Sequence, residues 1–84
     1  MHVPKYILET DDIIEYLTAR NLLKQYQKSK RLILSWNGSS ADLKLRKPKE
    51  ARIWSFRVNK QFRAYGIFDD SNDFVVFEIN NHQN

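Results

Sequence analysis

The fold of this chain is decided by residues 53–68, IWSFRVNKQFRAYGIF. Two runs rich in aromatic and β-branched residues flank the polar break Asn-Lys-Gln at 59–61, a pattern typical of two strands joined by a hairpin loop. If the loop has three residues, residues 58 and 62 pair, and Arg57 lies directly opposite Arg63 on one face of the sheet. A loop of two or four residues would instead place Arg57 beside Phe62.

The predicted pairing of Arg57 with Arg63 is unfavourable for folding, because like charges directly opposite each other destabilise adjacent strands. A sequence selected only for stability is expected to avoid it. A bound polyanion would remove the repulsion, since the guanidinium group matches phosphate and carboxylate oxygens. The pair therefore indicates a site for an anionic ligand, on the condition that the three-residue loop forms.

The composition predicts one small domain spanning residues 1–84. Hydrophobic residues make up 42% of the chain and aromatic residues 13%, which is enough to fill a compact core and disfavours wholesale disorder. There is no cysteine, and the only histidines are His2 and His82. This excludes a disulfide framework and a thiolate nucleophile, and it leaves too few ligands for a typical transition-metal site. We therefore expect neither a metal nor a cofactor.

The chain carries no targeting signal that we can identify. No apolar run approaches the roughly 18 residues that a membrane-spanning helix needs. The N-terminal residues, MHVPKYILETDD, lack the basic start and cleavage site of a signal peptide. A soluble cytoplasmic protein without membrane contacts is the expectation.

The net charge of +4 is distributed unevenly along the chain. Basic residues dominate residues 42–63, whereas residues 64–84 contain acids but no lysine or arginine. Because the basic residues of 44–63 alternate with aromatic residues on predicted strands, we interpret this segment as a surface for nucleic acid or an acidic protein. The lysines at 24, 28 and 30 are interpreted as a solvated helix face. The basic residues of the first segment are Lys44, Arg46, Lys47, Lys49, Arg52, Arg57, Lys60 and Arg63.

The periodicity predicts an α+β fold with the element order β-α-α-β-β-β. The strands are expected to form an antiparallel sheet, and the two helices pack on one of its faces. A basic connector at 43–50 stays extended before Pro48. The hydrophobic register slips near residues 19–21, which predicts two consecutive helices or one bent helix. The predicted elements are a weak strand at 3–8, helices from near 13 to near 36, and strands at about 52–58, 62–68 and 73–79.

Alternation within the strands assigns side chains to the two faces of the sheet. In the last strand, Val75, Phe77 and Ile79 are the predicted core residues. The opposite, open face then collects a polar and mostly cationic set with one imidazole. That set consists of Arg57, Arg63, Tyr65, Glu78 and His82.

This element order and three motifs resemble the RelE/ParE superfamily of bacterial type II toxins. The motifs are the basic lead-in LKLRKPKEARIW at 43–54, the hairpin WSFRVNKQFRA at 54–64, and the final strand VVFEINNHQN at 75–84. The hairpin is most similar to the RelE/HigB-like branch, in which an Arg-hydrophobic-Asn turn leads to an aromatic-Arg pair. The resemblance covers residues 43–84, while the helical half matches only in pattern.

The resemblance implies a small toxin that a cognate antitoxin protein neutralises. It implies a metal-independent endoribonuclease, an mRNA interferase, that cuts mRNA in the ribosomal A site and inhibits translation. Arg57 and Arg63 would bind the scissile phosphate, and His82 would transfer protons as an acid or base. The remaining RNA contacts would come from Lys47, Lys49, Lys60 and Tyr65.

Other interpretations stay open beside the nuclease. ParE members of the superfamily inhibit DNA gyrase, and an inactive member could act only by binding an antitoxin or nucleic acid. The Asp-Tyr-His ending common in the HigB-like branch reads Asn80-Asn81-His82 here, so only the histidine is retained. Arg57 could also form a cross-strand ion pair with Glu78 if their strands are neighbours.

Overall fold

The computed structural model describes residues 3–81 and has an α+β fold, as the sequence predicts. Two helices cover one face of a five-stranded sheet. Short 3-10 turns lie at Gly38–Ala41 and Lys49–Ala51. The regular elements are β1 (Ile7–Glu9), α1 (Asp11–Ala19), α2 (Leu23–Leu34), β2 (Lys44–Leu45), β3 (Trp54–Arg57), β4 (Phe62–Phe68) and β5 (Phe74–Asn81).

The sheet is mixed, with the strand order β1-β5-β4-β3-β2. Strands β2 to β5 are antiparallel to their neighbours, but β1 runs parallel to β5. The prediction of an antiparallel sheet is therefore wrong at this edge. Strand β1 continues into helices rather than into a hairpin, so no tight turn forces it to be antiparallel. The second difference is β2, in which part of the predicted extended connector pairs with β3.

The helices pack their apolar stripes against the sheet. The chain leaves α1 at a left-handed residue, Asn21, with φ of 58°, so the predicted register slip separates two helices. Asp11 and Asp12 occupy the first turn of α1, where negative charge complements the helix dipole. The largest fully buried side chains come from both helices and from the sheet and include Leu17, Tyr26, Ile33, Phe56 and Phe74.

The hairpin between β3 and β4 has the three-residue loop that the sequence predicts. The Val58 amide donates to the Phe62 carbonyl over 2.9 Å, and Arg57 is in register with Arg63. The Asn59 side chain closes the loop, because its Oδ1 accepts from the amides of Gln61 and Phe62 at 2.8 Å each. The facing arginine pair is thus confirmed.

A β-bulge in β5 changes which of its residues face the core. Tyr65 pairs with Glu78, whereas the next residue, Gly66, pairs with Val76, so Phe77 is the extra residue. Phe77 is consequently 49% exposed, while Val76 and Ile79 are both buried. The predicted core set of Val75, Phe77 and Ile79 is correct only for Ile79, because alternation fails across a bulge.

Glycine at position 66 is explained by the close approach of β5 beside the bulge. A β-carbon at this position would lie 2.4 Å from the Val75 carbonyl oxygen and 2.8 Å from the Phe74 ring. Both contacts are too short for a methyl group, so a larger residue would push the two strands apart.

Candidate functional site

The sheet face that points away from the helices, here called the outer face, is divided into a polar half and an apolar half. Two rows of residues cross the polar half in register, one formed by Lys44, Ser55, Tyr65 and Glu78 and the other by Arg57, Arg63 and Asn80. Toward the β1 edge, the large exposed side chains are apolar: Leu8, Ile67 and Phe77. The predicted gathering of Arg57, Arg63, Tyr65 and Glu78 on one face is therefore confirmed.

Arg63 is held in place at the centre of the polar half. Its Nη1 atom lies 3.0 Å from Asp42 Oδ2, and its Nη2 atom donates to the Asp42 carbonyl over 3.0 Å. Nε and Nη2 also donate to the hydroxyl of the fully buried Ser55 at 3.3 and 3.2 Å. The Arg63 side chain is only 14% exposed. Its guanidinium is therefore fixed before any ligand arrives.

The acidic partner of Arg63 comes from a distant part of the chain. Asp42 ends the turn Gly38–Ala41 in the left-handed region, with φ of 53°, and both its carbonyl and its carboxylate contact Arg63. Strand pairing alone does not bring Asp42 to Arg63, so the sequence pattern did not predict this contact. The available signal was weak, since Asp42 and Glu50 are the only acids between residues 42 and 63.

Three cations surround the single carboxylate of Asp42, and we call Asp42, Lys44, Arg57 and Arg63 the Asp42 cluster. Lys44 Nζ lies 3.6 Å from Asp42 Oδ2. Desolvation raises the pKa of Asp42, but the hydrogen bond and charge of Arg63, followed by the charges of Lys44 and Arg57, hold this pKa below its ordinary value. Asp42 is therefore ionised at neutral pH, and one negative charge faces three positive charges.

Arg57 is exposed on the outer face beside Arg63. Its backbone is anchored to α2, because the Ser29 hydroxyl donates to the Arg57 carbonyl over 2.7 Å. The alternative ion pair with Glu78 is wrong, since β4 lies between β3 and β5. The Glu78 carboxylate instead accepts from Asn80 Nδ2 over 2.6 Å.

Tyr65 is half-buried on the outer face, next to Ser55 and Glu78 in its row. The guanidinium carbon of Arg46 lies 5.9 Å from the centre of its ring. A cation at this distance interacts with the ring face, so Arg46 belongs to the same surface. From the sequence, Arg46 is one of the basic residues of the 44–63 segment, with no separate role predicted.

The three lysines that were predicted to bind RNA lie in different places. Lys60 is exposed at the tip of the β3–β4 hairpin and lines one groove with Arg57. Lys47 is exposed near Lys44, just before Pro48, to which it is joined by a cis peptide bond. Lys49 is separate from these, since it lines a hollow with Phe68. Phe68 lies about 17 Å along β4 from Arg63 at the usual rise per residue.

His82, the predicted proton-transfer residue, lies outside the described residues 3–81. The last described residue, Asn81, is exposed and pairs with Phe62 at the end of the sheet. The role of His82 therefore stays a prediction.

Comparison with known proteins finds no matching family model and no matching curated sequence. Within residues 3–81, no helix combines the length and the apolar character needed to cross a membrane. The same part of the chain holds no cluster of three or more histidine, cysteine, aspartate or glutamate side chains that could bind a metal ion. The geometry and charge of the outer face are therefore the features that bear on function.

Proposed function

We propose that this chain is a RelE-like toxin that uses the polar half of its outer face to bind and cleave mRNA on the ribosome. The observation that supports this most strongly is the surplus of positive charge in the Asp42 cluster, where Arg57 and Arg63 face each other in register. Such a pair is unfavourable in a free sheet and favourable when a phosphate lies between the two groups. The RelE-like arrangement of the fold is part of the proposal, as is action in the cytoplasm.

The proposed reaction uses the RNA itself as the nucleophile. A base takes the proton of the ribose 2′-hydroxyl, the 2′-oxygen bonds to phosphorus, and the bond from phosphorus to the 5′-oxygen breaks. The 5′-oxygen takes a proton, which leaves a 2′,3′-cyclic phosphate and a 5′-hydroxyl end. Arg57 and Arg63 would stabilise the charge on the phosphorane, and His82 would carry out one of the two proton transfers.

Asp42 has a defined part in this scheme. In the free protein its carboxylate lies against the Arg63 guanidinium, where a phosphate oxygen would otherwise bind. The carboxylate keeps the guanidinium oriented, and an arriving phosphate takes over this contact. Lys44 and Arg57 add attraction for the dianionic transition state.

Expression in a bacterial host followed by mapping of 5′ ends of cellular mRNA tests the nuclease proposal. Cuts confined to translated regions and in phase with codons are expected for the wild type. Arg57→Ala, Arg63→Ala and His82→Ala should each remove the cuts, whereas Arg31→Ala, an exposed arginine on α2, should not. Unchanged cleavage in all three site variants would refute the proposed mechanism.

A second candidate function is that of a non-catalytic toxin that acts on DNA gyrase or only binds nucleic acid. The low exposure of Arg63 favours it, because a side chain held by Asp42 and Ser55 has a structural role as well. Action on gyrase predicts an SOS response with intact mRNA in the same experiment.

The proposal also includes neutralisation by a cognate antitoxin protein that covers the outer face. The exposed side chains of Leu8, Ile67 and Phe77 adjoin the cationic half, so the face suits a segment with both apolar and acidic residues. Co-expression of the adjacent open reading frame should restore growth, and Phe77→Asp should weaken the complex through the loss of apolar contact.

A further inference from the structure

A groove runs between α2, the turn Gly38–Ala41 and the β3–β4 hairpin, with a volume of about 360 Å³. Lys28 and Lys60 line it from opposite sides, and Arg57 lines it where it meets the sheet. Within the described part of the chain, the residues that line this groove include these three cationic residues and no acid. Lys28 was predicted to belong to a solvated helix face, but the fold places it opposite the hairpin.

The groove is rigidly built, because the hairpin is fastened to α2 at two points. Asn59 Nδ2 donates to Gln25 Oε1 over 2.9 Å, and the Ser29 hydroxyl donates to the Arg57 carbonyl over 2.7 Å. Asn59 also closes its own loop through Oδ1. A ligand bound here would not have to order the loop first, which reduces the entropic cost of binding.

The lining has the chemistry of a backbone-binding site rather than a base-binding site. Lys28 and Lys60 offer flexible ammonium groups, while Ser40, Gln25 and Asn59 add neutral polar groups. The apolar part of the lining consists of aliphatic side chains such as Leu32 and Val58, which do not provide an aromatic platform for bases. Phosphate and ribose groups fit this lining, so recognition would not depend on base sequence.

Arg57 connects this groove with the outer face. It lines the groove and is also in register with Arg63 in the Asp42 cluster. Arg57 therefore adjoins both the groove lined by Lys28 and Lys60 and the proposed position of the scissile phosphate. A single-stranded polyanion is the ligand that can contact both around the end of the hairpin.

We propose that the α2–hairpin groove binds the sugar-phosphate backbone of single-stranded RNA beside the cleavage position, through Lys28 and Lys60. This inference rests on the proposed function and extends it. It gives Lys28 a binding role, and it places Lys60, already expected to contact RNA, in a groove apart from the reacting phosphate. It predicts that the groove contributes to affinity only when the RNA extends beyond the outer face.

The test measures the binding of non-cleavable 2′-O-methyl RNA, using one oligonucleotide of about three and one of about twelve nucleotides. The double variant Lys28→Ala/Lys60→Ala should bind the longer RNA about tenfold more weakly and the shorter RNA as the wild type does. The slope of log K against log salt should fall by about 1.4 for the longer RNA, as expected when two phosphate contacts are lost. The control Arg31→Ala removes one exposed charge from α2 outside the groove and should change the slope little.

The outcomes separate the groove from the outer face. Equal affinity and equal slope for wild type and double variant, together with weaker binding by Arg57→Ala, would overturn the groove and leave the outer face intact. An absence of RNA binding by the wild type would overturn both. If polyglutamate rather than RNA lost affinity in the double variant, the groove would be a site for an acidic protein and the RNA assignment would be wrong. Thermal unfolding of the double variant at the wild-type temperature would show that the fold is unaffected.

Discussion

Two carboxylates connect distant parts of this small protein, and they differ in how completely their charge is balanced. Glu9 on the edge strand β1 accepts at Oε1 from the Tyr26 hydroxyl over 2.5 Å and from Lys30 Nζ over 3.0 Å. The Glu9 carboxylate is thus paired with one cation, Lys30, and one neutral donor, Tyr26. Asp42 instead meets Arg63, Lys44 and Arg57, so its surroundings keep a positive surplus.

The difference indicates which polar network holds the fold and which is available to a ligand. The charges of the Glu9 network are balanced, and the network joins β1 to α2 at Tyr26, whose side chain is fully buried. Burial, then the hydrogen bond and charge of Glu9, raise the pKa of Tyr26, so its hydroxyl remains a protonated donor. The Asp42 cluster fixes Arg63 in the same manner but leaves attraction for a further anion. Charge balance thus separates two sites that are each built around one carboxylate.

The largest expected effect is that of removing the central cation of the Asp42 cluster. Arg63→Ala should lower mRNA cleavage by about 100- to 1000-fold, the usual cost of losing one group that stabilises a transition-state charge. Lys30→Ala, which removes the cation of the Glu9 network, should leave cleavage unchanged. Quantitative 5′-end mapping at equal protein levels measures both variants, and equal losses in both would contradict the distinction between the two networks.

The next effect is confined to stability. Tyr26→Phe removes the hydroxyl that donates to Glu9 and should lower the free energy of unfolding by about 1–2 kcal/mol, because Glu9 loses one donor in a partly buried position. RNA affinity should stay the same, since Glu9, Tyr26 and Lys30 lie neither on the outer face nor among the residues that line the α2–hairpin groove. Urea unfolding followed by tryptophan fluorescence, with RNA binding measured in parallel, provides the check.

A matched pair of charge-neutralising variants sharpens the comparison. Asp42→Asn removes the carboxylate that competes with phosphate for Arg63 and should strengthen RNA binding about threefold, the effect of one partly exposed charge. Glu9→Gln removes the same charge from the balanced network and should not change RNA affinity. Weaker RNA binding by Asp42→Asn would mean that orientation of Arg63 matters more than competition.

The smallest effect is a dependence of stability on pH. The lowered pKa of Asp42 means that its ionised form stabilises the fold above the ordinary aspartate pKa of about 3.9, and that this contribution is lost as pH falls through the lower, folded-state value. Because Asp42 is 39% exposed, the contribution should be about 0.5 kcal/mol. Unfolding curves of the wild type and Asp42→Asn should converge toward pH 2 and differ at neutral pH.

Local patterns in the sequence were sufficient to predict the hairpin and the residues on the polar half of the outer face. The spacing of Arg57 and Arg63 around a three-residue loop determines their register, and the loop closure by Asn59 depends on near neighbours alone. The contact between Asp42 and Arg63 joins residues 21 positions apart through a left-handed turn. No periodic pattern predicts such a contact, because it depends on how the connector folds back across β3.

The difference between local patterns and contacts between distant elements also applies to the α2–hairpin groove and to β5. Lys28 and Lys60 belong to separate elements, and only the packing of the hairpin on α2 brings them to one groove. In β5, alternation holds on each side of Phe77 but not across it, so the prediction that Val75 and Phe77 face the core is wrong. Periodicity therefore identified the elements, while contacts between elements determined the complete site.

The bulge at Phe77 divides β5 into two parts, and the alternation of side chains between the core and the outer face shifts by one residue between them. Residues before Phe77 place even-numbered side chains in the core, as Phe74 and Val76 show, and residues after it place odd-numbered side chains there, as Ile79 shows. One inserted residue thus allows a single strand to bury apolar groups against the helices at both ends and still present Glu78 and Asn80 beside the arginines. A chain that lost Phe77 would pair β4 and β5 without interruption and keep every other residue on its present face.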